Sequence, residues 1–192
     1  MPKKIITPEV NYGPLQGLIG TWKGDKGMDV SPEVIGDEKS PFYETMVFEG
    51  AGDLTNAGIQ KIAMVRYHLV VSKKINDEVF HDQVGYWLWD EANSIIMHSL
   101  TVPRGLCVLA GGTFKGKSSK SKTITLEVKA GIKDKNWGIV QSPFMNKNAK
   151  TLEFRQKISI SPKKLEYFET TVLKIYGRKF DHTDKNTLVK VK

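Results

Sequence analysis

The chain has 192 residues, 40% of them hydrophobic and 26% charged, with a formal net charge of +8; that size suits one folded domain whose core needs neither disulfides nor a structural metal. Its single cysteine, Cys107, excludes an intramolecular disulfide, and no stretch approaches the roughly 18 apolar residues of a membrane span. The opening segment MPKKIITPEVNYG lacks the apolar run of a secretory signal, so cytoplasmic residence is expected.

In chain order, PLQGLIGTW (Pro14 to Trp22) admits one helical turn, limited by Gly17 and Gly20, before a first strand. From residue 42 onward apolar and polar residues alternate with period two, the signature of half-buried strands. Strands are predicted at FYETMVFEG (Phe42 to Gly50), QKIAMVRYHLVVS (Gln60 to Ser72), FHDQVGYWLWD (Phe80 to Asp90) and IIMHSLTV (Ile95 to Val102), the last two as a hairpin about DEANS. Pro103 and Gly105 break the pattern and LCVLAGG resumes it, with Cys107 read as a small buried hydrophobe. TITLEVKA (Thr123 to Ala130), TLEFRQKISI (Thr151 to Ile160), KLEYFETTVLKIY (Lys164 to Tyr176) and a short closing strand TLVKV (Thr187 to Val191) complete the series. Eight to ten strands, short turns and little helix predict an all-β fold: one antiparallel up-and-down β-barrel over residues 1–192.

GGTFKGKS (Gly111 to Ser118) spells the phosphate-binding loop of nucleotide-hydrolysing enzymes. That loop works only where a helix follows, because the helix N-terminus helps to hold the phosphates. Here SKSKTITLEV follows, a polar turn and then an alternating strand, so the stretch reads as a strand end and a lysine-rich hairpin, and no nucleotide is expected. The lysine clusters fall between strands without interleaved aromatics, which argues for solvated loops over nucleic acid.

Catalytic constellations are sparse. There is no nucleophile elbow, no cysteine cluster and no histidine pair at helical spacing. His68, His81 and His98 fall within predicted strands, whereas His182 stands in GRKFDHTDKNTLVKV, read as a polar loop before the last strand. An imidazole at a barrel rim suits axial ligation of haem iron.

LQGLIGTWKGDKG (Leu15 to Gly27), FHDQVGYWLWDEANSIIMHS (Phe80 to Ser99) and LEYFETTVLKIYGRKFDHTDKNTLVKV then occur in order over nearly the whole chain. The first resembles the G-x-W entry that lipocalins and fatty-acid-binding proteins share, with Trp22 plugging the barrel floor and Gly24 and Gly27 letting the first strand bend. All three together resemble the nitrobindin family of haem-binding β-barrels. The chain departs from that family in having MDVSPEVIG where a Tyr-Pro is usual, Asp181 where a proline precedes the histidine, and extra residues in PRGLCVLAGG and GIKDKNWGIVQSPFMNKNA. The resemblance implies ferric haem b held by His182, nitric oxide binding, and conversion of peroxynitrite to nitrate. Arg66, His68, His98 and Arg104 are the further pocket candidates, with strand parity left open. Two alternatives remain at this point. One is a carrier of a fatty acid or other apolar anion, with Arg66 or Arg155 inside; the other is a barrel packed solid with side chains.

Overall fold

The computed structural model describes residues 10–116 and 123–191. A 3₁₀ turn, Gly13–Leu18, leads into β1 (Gly20–Pro32), β2 (Asp37–Asn56), β3 (Gln60–Lys73), β4 (Val79–Asp90), β5 (Ile95–Val102) and β6 (Leu106–Thr113). Then come β7 (Ile124–Gly131), β8 (Ile139–Gln141), the short helix α1 (Pro143–Asn148), β9 (Ala149–Ile160), β10 (Lys164–Ile175) and β11 (Arg178–Lys190). Ten antiparallel strands close into a barrel in the order β1-β2-β3-β4-β5-β6-β7-β9-β10-β11, and β8 adds an eleventh alongside β6. The predicted all-β barrel is therefore the observed one.

Closure is narrowest between β6 and β7, which share one aligned pair, Gly111 and Lys129. The first two glycines of the GGTFKGKS stretch are explained there. A Cβ on Gly111 would meet the Trp137 ring at 2.4 Å, and one on Gly112 the Glu127 carbonyl at 2.2 Å. Gly111 to Thr113 end β6 and the next described element is β7; Lys117 and Ser118 lie outside the described residues. Toward the other end of β6 the gap is filled by β8, which pairs through Leu106–Gln141 and Val108–Ile139. The Gln141 carboxamide then acts as one more ladder rung. It donates to the Thr151 carbonyl and accepts from the Thr151 N–H, both at 2.9 Å. The segment GIKDKNWGIVQSPFMNKNA, read from sequence as extra loop, thus contains a strand and a helix that seal the wall. Ser142 caps α1 by accepting from the Met145 N–H at 3.2 Å.

The floor is packed solid. Leu15, Leu18 and Trp22 are fully buried, and the Trp22 indole donates to the Leu18 carbonyl at 2.7 Å, as its reading as a floor plug expects. β1 changes register against both neighbours between Gly24 and Met28, where the two glycines allow a bend. Cys107, read as buried, is exposed: β6 turns Val108 and Ala110 inward, and strict alternation turns Cys107 out.

Gly85 sits where β4 and β5 come closest, and a Cβ there would lie 2.0 Å from the Ser99 carbonyl oxygen. Backbone cannot yield as a side-chain end can. Gly85→Ala is expected to cost about 1–3 kcal/mol through overpacking, read as a melting temperature several degrees lower in thermal denaturation. An unchanged melt would show that the two strands can separate there at no cost.

Candidate functional site

Above the floor the barrel encloses a cavity of about 510 Å³, within the size range of pockets for small organic ligands and cofactors. The packed-solid alternative is therefore set aside. Trp22, Trp87 and Trp89 are spent on the buried core and Trp137 on the β6–β7 seam, so the tryptophans do not fill the cavity. The mouth lies at the end where β1 meets β2, β3 meets β4 and β10 meets β11, with Lys73, Phe80, Arg104, Phe144 and Met145 around it.

The two sides of the cavity differ in chemistry. β3, β5 and β6 supply Leu69, Val71, Leu100, Val102, Leu106 and Val108. The opposite wall supplies a polar row. Gln156 on β9, Glu169 on β10, Asp184 on β11 and Asp29 on β1 are successive direct cross-strand partners, and all four line the cavity. Like charges at directly opposed positions repel. Among the described residues no lysine or arginine forms an ion pair with any of these three carboxyl groups.

Protons and one imidazole relieve the repulsion instead. Burial, then the charge of Asp184, pushes Glu169 up to about 8. Burial likewise pushes Asp184 up to about 7, against the opposing pull of His182. His182, opposite Thr171 on β10, places Nε2 2.5 Å from Asp29 Oδ1 and 3.6 Å from Asp184 Oδ2. Burial would lower its pKa, but the Asp29 hydrogen bond and the charges of Asp184, Asp29 and Glu169 outweigh burial and hold it above the ordinary 6.5. For Asp29 burial is opposed in the same way, chiefly by His182, and its carboxyl lies below the ordinary 3.8. Asp29, His182 and Asp184 present ligand atoms within 4.8 Å of one another. One level deeper, Glu44 accepts from the Tyr167 hydroxyl at 2.9 Å and from the Asn186 carboxamide at 3.1 Å. Burial pushes it up to about 8 despite those bonds.

The sequence candidates scatter. His182 lines the cavity, but from within β11 rather than from a loop. The inward residues His182, Asp184 and Asn186 are polar, so the hydrophobic alternation that marks a strand is missing there. Asp181, flagged as its neighbour, is exposed, and the carboxylate that holds the ring is Asp29, 153 positions away. Arg104 stands at the mouth and donates to the Phe80 carbonyl at 2.9 Å. Arg66 and His68 point outward, paired with Glu49 and Asp82. Arg155 is also outside, 3.8 Å from Glu153. With Arg66 and Arg155 both outside, neither can pair with a carboxylate in the interior as the anion-carrier alternative required. His98 is sealed below the cavity, stacked on Trp87 at 4.1 Å, and burial lowers its pKa to about 3.

His81 was passed over as a strand residue, yet it lines the cavity. On β4 it shares the parity of the inward Gln83, Trp87 and Trp89, so the alternation of FHDQVGYWLWD carried this signal. His81 Nε2 is 3.2 Å from Gln83 Oε1, Gln83 donates to the Tyr67 hydroxyl at 2.6 Å, and that hydroxyl is 2.8 Å from His98 Nε2. Burial lowers the His81 pKa, with a smaller contribution from the charges of Arg104 and His182.

Residues 11–190 match the family model described as the THAP4-like, heme-binding beta-barrel domain. The chain belongs to this family. Among solved structures it is similar to the crystal structure of Rv2717c from M. tuberculosis, with 16% identity and a TM-score of 0.70, covering 96% of this chain and 100% of that one; this likeness shows the fold. A search of curated proteins found no match. The family's prosthetic group can be tested against the cavity. A flat apolar macrocycle has an apolar wall to lie against, a central cation meets an imidazole backed by carboxylates, and anionic edges meet Lys73 and Arg104 at the mouth. The residues present fit haem.

The carboxyl row makes stability depend on pH. Glu44, Glu169 and Asp184 have folded-state pKa values above their ordinary ones, so the folded chain keeps protons that the unfolded chain releases. Their contribution is present at acidic pH and lost as pH rises through about 7 to 8. His182, also raised, acts in the same direction. The melting temperature of the ligand-free protein is expected to fall between about pH 5 and about pH 8, and Glu169→Gln should flatten the slope. A flat wild-type profile across that window would mean that water reaches the row.

Proposed function

We propose that this barrel binds haem b, with His182 as the protein ligand to the iron. The single observation that carries this reading is the placement of His182: a cavity-lining imidazole whose Nε2 is tied to the Asp29 carboxylate, on the wall facing an apolar surface. Iron-ligating histidines commonly donate their second ring nitrogen to such a carboxylate, which fixes the ring and raises its basicity. Family membership supports the same reading. Either ring nitrogen can serve as the ligand, since a ring flip exchanges them.

Haem, when bound, supplies an iron centre able to take nitric oxide or peroxynitrite. The chain's own residues bind, orient and exclude water. Leu69, Val71, Leu100 and Val108 offer a dry surface, and Lys73 and Arg104 are placed to pair with carboxylates at the mouth. His182 must give up a proton before it can hold a metal, and Asp29 and Asp184 are the groups that raise the cost of doing so. His81, lining the same cavity with its pKa lowered by burial, is a neutral imidazole able to accept a hydrogen bond from a small molecule there.

Titration with hemin, followed by the Soret band, tests the reading. The wild type is expected to bind one equivalent, and His182→Ala to lose affinity by roughly tenfold or more with an unchanged circular-dichroism spectrum. His81→Ala, His68→Ala and His98→Ala should each lose less. Because the His182 pKa is raised, wild-type affinity should begin to weaken above pH 6.5 as pH falls, and Asp29→Asn should move that onset to lower pH. Equal hemin affinity in wild type and His182→Ala would refute the assignment.

A further inference from the structure

Outside the barrel, the same strand ends carry a second row of like charges. Lys150 on β9 is the direct cross-strand partner of Lys174 on β10, which is the direct partner of Lys179 on β11. These positions alternate with cavity-lining Ala149, Thr151, Leu173 and Ile175, so the lysines face outward. None of the three has an acidic partner among the described residues, although six other basic side chains on the barrel do. Lys147, exposed on α1, extends the row toward the mouth. Three directly opposed cations without counter-charge are unfavourable in isolation, and a surface of fixed negative charge would offset them.

Bare hydrophobic side chains stand at the same end. Among the described residues six are more than two thirds exposed: Val34, Ile35, Ile59, Ile75, Val140 and Phe144. Four of them crown the mouth. Val34 and Ile35, the latter 92% exposed, form the β1–β2 tip; Ile75, at 89%, forms the β3–β4 tip; Phe144, at 70%, sits on α1. Half-exposed Tyr176 forms the β10–β11 tip, which Arg178 ties to the β1–β2 tip by donating to the Glu33 and Gly36 carbonyls. Isolated exposed apolar residues need no explanation, but a group of them rimmed by charge marks an interaction surface. The β1–β2 tip also carries Glu33, Asp37 and Glu38, and the β3–β4 tip Asp77 and Glu78 beside Lys73 and Lys74, so the basic side of the rim is the α1, β9, β10 and β11 side.

We propose that this rim docks on an anionic lipid surface and sets the cavity mouth against the bilayer. Apolar tips buried at the headgroup level, flanked by lysines that meet acidic headgroups, are the two components of interfacial binding. A phosphate polymer would use the lysines but has no need of Ile35 and Ile75. The arrangement also suits the cavity, since an apolar ligand dissolved in lipid enters without crossing water.

The test uses the full-length protein with phosphatidylcholine vesicles, with or without phosphatidylserine, in co-sedimentation at low and high salt. Binding is expected only with phosphatidylserine present, and salt should suppress it. Lys174→Glu should weaken binding about thirtyfold, two charge units at the usual contribution per basic residue near an anionic surface, while thermal stability holds or rises because Lys150 and Lys179 gain a partner. Ile35→Ser/Ile75→Ser should weaken vesicle binding without changing the melt. No phosphatidylserine-dependent binding by the wild type, or equal binding by Lys174→Glu, overturns the proposal. So does a wild type that binds single-stranded RNA in preference to vesicles, with the Ile35→Ser/Ile75→Ser variant retaining RNA binding.

Discussion

Glu169, Asp184 and Asp29 face one another across three adjacent strands on one wall of the barrel, and the character of the cavity follows from how that repulsion is relieved. A carboxylate row in water would cost little. Inside a barrel it must hold protons, take a counter-ion from the protein or take one from a ligand. The protein supplies a single imidazole, His182, against three carboxyl groups. Burial keeps Glu169 and Asp184 well above the ordinary carboxyl range, so the ligand-free cavity stores exchangeable protons. A cationic centre entering the cavity can displace them.

Register places these groups. In a regular strand Trp22 and Asp29, seven residues apart, would point to opposite faces. Both point inward because β1 slips register between Gly24 and Met28. The slip needs small residues for a packing reason. A Cβ on Gly27 would lie 2.1 Å from the Phe42 ring, and one on Gly24 would lie 2.6 Å from the Asn186 carboxamide. The same local feature therefore plugs the floor with an indole and brings a carboxylate to His182. A matching irregularity in β9, near Leu152, keeps both Thr151 and Phe154 on the cavity side.

This also explains which parts of the molecule were legible in the sequence. Strands with one apolar and one polar face, such as Ile95–Val102 and Lys164–Ile175, announce themselves by alternation, and their number and short turns specify a barrel. Trp22 was readable through the resemblance of LQGLIGTWKGDKG to the G-x-W entry of barrel families. The candidate site was only partly readable. His182 could be singled out, but its strand could not, because a wall that is polar on its inner face breaks the rule by which strands are recognised. Asp29 was invisible, since its inward direction depends on a register slip and its partner lies on the far side of the sequence. His81 was legible in principle, since it shares the parity of the inward Trp87 and Trp89 on the same strand. Arg66 and His68 illustrate the converse: one residue of parity separates a cavity wall from solvent, and β-branched neighbours on both sides do not decide it.

The alternation that hides the site also separates charge across one layer of backbone. On β9 to β11, lysines face outward at the mouth end, while Gln156, Glu169 and Asp184 face inward a few residues further down. A protein of net charge +8 thus has an acidic cavity beneath a basic rim. A fatty acid fits this arrangement poorly: its carboxylate pairs at the mouth with Lys73 or Arg104, but its tail then lies against Glu169 and Asp184. A simple organic cation fits the interior and is repelled at the entrance. The ligand that satisfies every zone has anionic groups at one edge, a flat apolar body and positive charge at its centre. Lys73 and Arg104 would meet its edge, Leu100 and Val108 its body, and the wall where Asp29 holds His182 its centre. Ferric haem has that distribution of charge, and the layout of the cavity supports the proposed reading on electrostatic grounds.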